Sequence, residues 1–170
     1  MDATIIRNWN ERVKDEDTVF LLGDFCFKGT KKGVIVGEGG VNSFKYYEEQ
    51  LNGKIIYLKG NHDNNNKTNA IIENITIKHG GRQINLVHRP IHAKQGMLNL
   101  VGHVHQNWLF RYYETTVTAK GNISVLVEDK KTPLINVGVD RHNFYPVNIQ
   151  EILSILAKEE KNYGCNIPKL

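Results

Sequence analysis

A chain of 170 residues, 40% of them hydrophobic, is long enough for one well-packed core, and the length points to a single domain over residues 1–170. No apolar run approaches the roughly 20 residues that span a bilayer, and Met1–Arg12 is too polar for a signal peptide, so the expectation is a cytoplasmic protein without a membrane partner. The formal charge of +4 rests on dispersed lysines, with Lys31–Lys32 and Lys130–Lys131 as the adjacent pairs; such scatter usually makes a solvated surface, leaving nucleic-acid binding as a minor alternative.

In chain order, Ile5–Val13 has the spacing of a short helix, and Asp15–Asp17 turns it into the compact apolar run Thr18–Leu22, expected to be a strand that ends at Gly23-Asp24. Phe25–Val41 holds five glycines with no sustained period and is expected to be a loop. Asn42 or Ser43 would cap a helix through Leu51, and Asn52–Gly53 turns the chain into a second strand, Ile55–Leu58, followed by Gly60–Asp63. Lys67–Glu73 is read as a short helix, with Ile75–Lys78 and Ile84–Val87 as strands around the Gly80–Gly81 turn. Leu98–Val101 is a further strand and feeds Gly102–His105. Trp108–Val117 and Asn122–Val127, joined through Lys120–Gly121, are expected to form a hairpin insertion over residues 108–127. Leu134–Val137 is a late strand, and Ile149, Ile152, Leu153 and Leu156 recur at helical spacing within Asn148–Lys158.

The runs ending at Leu22, Leu58 and Val101 are each followed almost at once by glycine and then by a metal-capable side chain. Strands buried on both faces would give such runs, and their ends would present these loops to one site. Asp24 offers a carboxylate, although Gly-Asp is also an ordinary turn. Asn61-His62-Asp63 places an amide oxygen, an imidazole and a carboxylate beyond another strand, a set that could instead cap a helix. His88 follows Ile84–Val87 and is either a ligand or a buried imidazole bonded to backbone; Arg89 beside it suits an anionic substrate. In an extended segment His103 and His105 would share a side while Val104 points away. This mixed oxygen and nitrogen donor set suits divalent Mn, Fe, Co, Ni or Zn, and Cys26 and Cys165 are expected to be reduced, non-catalytic thiols.

The ordered set Leu-Leu-Gly-Asp at Leu21–Asp24, Gly-Asn-His-Asp at Gly60–Asp63, His88, and Gly-His-Val-His at Gly102–His105 resembles the calcineurin-like metallophosphoesterase family. The resemblance runs from about Trp9 to Val147 and includes Asn136-Val137-Gly138-Val139-Asp140. It implies an α/β fold, a two-sheet sandwich with flanking helices, acting on a small phosphorylated molecule or, by preference, a phosphodiester. It further implies that Asp24 bridges two divalent metal ions, that Asn61, His88 and His103 complete one position, and that His105 serves the other. His62 and Asp63 would be the catalytic pair, with His62 assisting the leaving group and Asp63 orienting it, and Arg89 would contact substrate.

The family begins with a strand carrying Asp-x-His, and no such triplet precedes Asp24. The first strand is therefore expected to be missing, which leaves one metal position well supplied and the other with only Asp24 and His105. Tight binding of a single ion follows, with a weakly active or inactive metal-binding regulatory module as the alternative to a hydrolase. An exposed sheet edge would also favour a homodimer.

Overall fold

The computed structural model describes residues 2–26, 44–63, 70–119 and 123–163. The chain forms α1 (Asp2–Arg12), β1 (Thr18–Leu21), α2 (Phe44–Glu48), β2 (Lys54–Tyr57), β3 (Asn74–His79), β4 (Arg82–Val87), β5 (Leu98–Val101), β6 (Phe110–Ala119), β7 (Ile123–Asn136) and α3 (Ile149–Tyr163). The strands make a two-stranded sheet, β1-β2, and a five-stranded sheet in the order β3-β4-β5-β7-β6. With helices at the flanks this is an α/β sandwich of two sheets, as the sequence implies.

Parallel pairing is what gathers the loops. β1 runs parallel to β2 with Leu21 opposite Tyr57, so the chain leaves both strands at the same end. β4 and β5 are parallel with Val87 opposite Val101, and β5 and β7 with Val101 opposite Asn136. Parallel neighbours bring their carboxyl ends to a common edge, and here that edge carries the loops after β4, β5 and β7. β3 joins β4 by the antiparallel hairpin expected around Gly80–Gly81.

The core lies between the larger sheet and its surroundings. Ile84, Leu86, Leu98, Leu100 and Ile135 form one cluster with Leu58 and with Ile152 and Leu156 of α3. Each buried Leu or Ile contributes about 1.5–3 kcal/mol of hydrophobic stabilisation. β5 is buried along its whole length, as expected of a strand covered on both faces, whereas β1 and β2 are only half-buried and depart from that expectation. α3 is fastened at its start by a reciprocal cap: Glu151 N donates to Asn148 Oδ1 (2.9 Å) and Asn148 N to Glu151 Oε2 (3.0 Å).

Two elements differ from the sequence reading. Of the helix expected over Lys67–Glu73, residues 67–69 lie outside the described residues, and Ile72 instead bridges Leu58 in parallel, extending the pairing beyond β2. The hairpin expected between Trp108 and Val127 exists, but its second strand continues unbroken into the late strand, so that β7 serves both the hairpin and the sheet. The two halves meet at a bulge where Tyr112 faces Pro133 and Tyr113 faces Asp129. Thr132 donates to Asp129 Oδ2 (2.6 Å) and accepts from Gly96 N (2.7 Å), which fixes the displaced residues to the sheet. The Lys120–Gly121 turn, the candidate caps Asn42 and Ser43 and most of the Phe25–Val41 loop lie outside the described residues. No helix among the described residues is long and apolar enough to cross a membrane.

Candidate metal centre

The site begins with two glycines that let two loops touch backbone to backbone. Gly23 has φ +84°, and a Cβ on it would collide with the backbone of Gly60 and come within 2.8 Å of His88 Nδ1. A Cβ on Gly60 would collide with Asp24. This contact is locked by Asp63, which is buried and whose Oδ2 accepts from Gly60 N (2.7 Å) and Asp24 N (3.0 Å). Asp24 in turn holds the second loop, accepting from His62 N through Oδ1 (2.8 Å).

His88 enters from the larger sheet. Its ring is buried, and Nδ1 lies 2.6 Å from the carbonyl of Leu22, an acceptor only, so Nδ1 carries the hydrogen. Nε2 then faces two oxygens, Asn61 Oδ1 at 2.9 Å and Asp24 Oδ2 at 3.2 Å. Arg89 Nε points to the same Asn61 oxygen at 3.4 Å, which fixes the oxygen rather than the amide nitrogen on this side. Asn61 Oδ1 and Asp24 Oδ2 thus converge on the one ring nitrogen of His88 left free by Leu22, an arrangement of donor atoms suited to a cation. Metal–donor bonds of about 2.0–2.2 Å set tetrahedral donors about 3.3–3.6 Å apart; the 3.2 Å separation of His88 and Asp24 is close to this, and the 2.9 Å separation of His88 and Asn61 is shorter.

His103 closes the group. Its ring centroid is 5.0 Å from that of His88, and Asp24, His88 and His103 offer ligand atoms that all lie within 4.8 Å of one another. The pKa of His103 lies below its ordinary value because of desolvation, reinforced by His88 and Arg89 and opposed by the Asp24 carboxylate. Its imidazole is thus biased toward the neutral, ligating form. The residues present fit one divalent cation: a carboxylate and two imidazoles, with the Asn61 amide oxygen beside them.

The extended geometry expected of Gly102–His105 is not found. His103 and His105 both have left-handed backbone, φ +67° and +47°, as does Asp24 at +55°. The chain turns sharply at each histidine, so alternation along a strand does not apply. His105 is exposed, outside the Asp24–His88–His103 group, and its Nδ1 lies 3.2 Å from Asp140 Oδ2. His62 is exposed at the mouth of the loop, while Arg89 is half-buried against Asn61. Cys26, half-buried near Asp63, has its thiol pKa pushed up by burial and then by that carboxylate, which favours an unreactive thiol.

Sequence reasoning assigned no role to Asn136 or Asp140. Asn136 is fully buried at the end of β7, and its Nδ2 donates to the carbonyls of His105 (2.6 Å) and Trp108 (2.8 Å). The available signal was the end of an apolar run at Leu134–Ile135 followed by a polar residue, a weaker form of the pattern that singled out Asp24 and Asn61, since no glycine stands between the run and Asn136.

No family model matches the sequence. The chain is 29% identical over 163 residues to the uncharacterized protein MJ1445 of Methanocaldococcus jannaschii, an alignment covering 93% of this chain and 76% of that protein. Its fold is similar to the crystal structure of a protein of unknown function, AQ665, from Aquifex aeolicus, with a TM-score of 0.57, 22% identity and coverage of 91% of this chain and 84% of the other. Neither name carries an activity. The similarity extends to the two-sheet α/β architecture, and Asp24, His88 and His103 form a cluster that could hold one metal ion.

Proposed function

We propose that this chain is a metal-binding domain of calcineurin-like metallophosphoesterase descent that holds one divalent cation at Asp24, His88 and His103, and that it hydrolyses phosphoesters weakly or not at all. The observation that carries the reading is the convergence of Asp24 Oδ2 and Asn61 Oδ1 on His88 Nε2, a nitrogen whose partner atom Nδ1 is already committed to Leu22. Mn, Fe, Co, Ni and Zn all accept such a mixed donor set. A bound cation would polarise a phosphoryl oxygen and lower the pKa of water.

A phosphodiesterase with two ions is the second reading. It is favoured by Arg89 at the margin of the cluster, placed to meet an anionic substrate, and by His62, exposed where a leaving oxygen could reach it. In that reading His105 serves a second ion, His62 and Asp63 form the catalytic pair, and a homodimer places a partner against the edge of β1.

Calorimetric titration with Mn²⁺ separates the readings when combined with assays on a model phosphodiester and a model phosphomonoester. One ion per chain with little or no turnover is expected, and Asp24→Asn should abolish binding. Two ions with robust turnover would establish the second reading, and absence of binding by the wild-type protein would overturn both.

A further inference from the structure

The segment Asn136–Asp140 grips His105 at two points. Asn136 takes hold of its carbonyl, as above, and accepts Gly138 N on its own Oδ1 (2.9 Å). Two residues further, the single turn Val139–Arg141 raises Asp140 so that Oδ2 meets His105 Nδ1 at 3.2 Å. The approach depends on Gly138: a Cβ there would lie 2.9 Å from Asp140 Oδ1 and 3.1 Å from Asn136 Oδ1. The result is an imidazole pinned at its backbone and at one ring nitrogen.

Stability does not explain this investment of contacts. The His105 side chain is 85% exposed, and ion pairs in that setting contribute little. The backbone of His105 is moreover held in the left-handed region, which for a residue other than glycine is adopted against a local cost and tends to mark functional positions. What the contacts do fix is direction. A carboxylate accepts the hydrogen of Nδ1, and neutral imidazole then has its lone pair on Nε2, whereas unconstrained histidine in water favours the opposite tautomer.

We infer that Asp140 is a positioning residue for His105: it selects the Nδ1–H tautomer and so makes Nε2, with its lone pair, the nitrogen that His105 presents to a cation at the loop edge. The use of that nitrogen by a cation rests on the two-ion reading above, since the one-ion reading leaves His105 outside the cluster, but its orientation does not. Carboxylate–imidazole pairs of this kind fix ring orientation and raise donor strength in metal sites.

The test is long-range ¹H–¹⁵N correlation spectroscopy on the intact, metal-free protein in alkaline buffer, where histidines are neutral. Wild-type His105 should show a protonated Nδ1 and a pyridine-like Nε2. Asp140→Ala should switch it to the Nε2–H tautomer with the His103 and Trp108 signals unmoved, and Asp140→Asn, whose amide oxygen can still accept, should retain Nδ1–H. An Nε2–H tautomer in the wild type overturns the inference whether or not any variant folds, and so does a tautomer indifferent to Asp140→Ala. Mn²⁺ titration of the same wild-type sample distinguishes the two proposals. Failure to bind Mn²⁺ removes the metal-binding reading and leaves the tautomer result standing, while Mn²⁺ binding with an Nε2–H His105 removes only the role of Asp140.

Discussion

At the scale of single residues, Asp63 shows how a group can serve a site without meeting its ligand. One oxygen joins the backbone of two loops, accepting from Asp24 N and Gly60 N. Asp63→Ala leaves two N–H groups without this acceptor, one of them buried and one part-buried, and should cost about 2–6 kcal/mol, since each stranded donor costs about 1–3 kcal/mol. Asp63→Asn keeps an oxygen of the same shape and should cost about 1–2 kcal/mol through the weaker neutral hydrogen bonds. Urea unfolding measures both, and equal losses for the two variants would contradict the clamp. The residue types at Asp24, Asn61, His88 and His103 were legible in the sequence because each follows an apolar run that becomes a strand or its parallel extension. The left-handed backbone at Asp24, His103 and His105 was not, since those side chains carry no sequence signal for positive φ comparable to glycine. The pairing of His105 with Asp140, 35 residues apart, was equally invisible, because it depends on β5 and β7 lying side by side.

At the scale of elements, the apolar periods identified nearly every strand, and misplacement arose where pairing overrode local preference. Ile72 sits within a segment that reads as helical, yet its bridge to Leu58 holds it extended. β7 was read as two strands because Glu128–Lys131 is polar. Glu128 and Asp129 stay in the ladder opposite Glu114 and Tyr113, while the bulge at Tyr112 and Tyr113 leaves residues 130–132 out of it, and Asp129 and Thr132 satisfy them locally. α3 is the element whose sequence and structure agree most fully, with Ile152 and Leu156 buried on the expected face. Leu156 is 2% exposed, so Leu156→Ala leaves a cavity between α3 and the sheet and should cost about 2–5 kcal/mol. Asn148→Ala removes only half of the reciprocal cap and should cost about 1 kcal/mol. Thermal unfolding ranks the two, and a larger loss at Asn148 than at Leu156 would mean that α3 is held by its cap rather than by its packed face.

At the scale of the whole molecule, the candidate centre adds a polar tie between two sheets that also share a hydrophobic core around Leu58. β1 and β2 form a two-stranded sheet that is only half-buried, while β4 and β5 belong to the well-packed larger sheet. Asp24 and Asn61 come from the first and His88 and His103 from the second, with the Leu22 carbonyl to His88 Nδ1 bond as a direct tie. A cation at these donors therefore links the weaker sheet to the stronger one. Binding to the native state alone stabilises by about 2.7 kcal/mol at a ligand concentration 100 times Kd. For a domain of this size 1 kcal/mol moves the midpoint by about 2–4 °C, so Mn²⁺ at that concentration should raise Tm by about 5–11 °C. Because Asp24 and His88 stand on different sheets, Asp24→Asn and His88→Asn should each remove most of that rise, whereas His105→Asn, outside the three-residue cluster, should preserve it. Hydrogen exchange then locates the effect: Mn²⁺ should slow exchange in β1 and β2 more than in β5, whose burial already protects it. Uniform slowing across both sheets would instead mean that the molecule opens as one unit, and a Tm rise that survives Asp24→Asn would place the bound ion elsewhere.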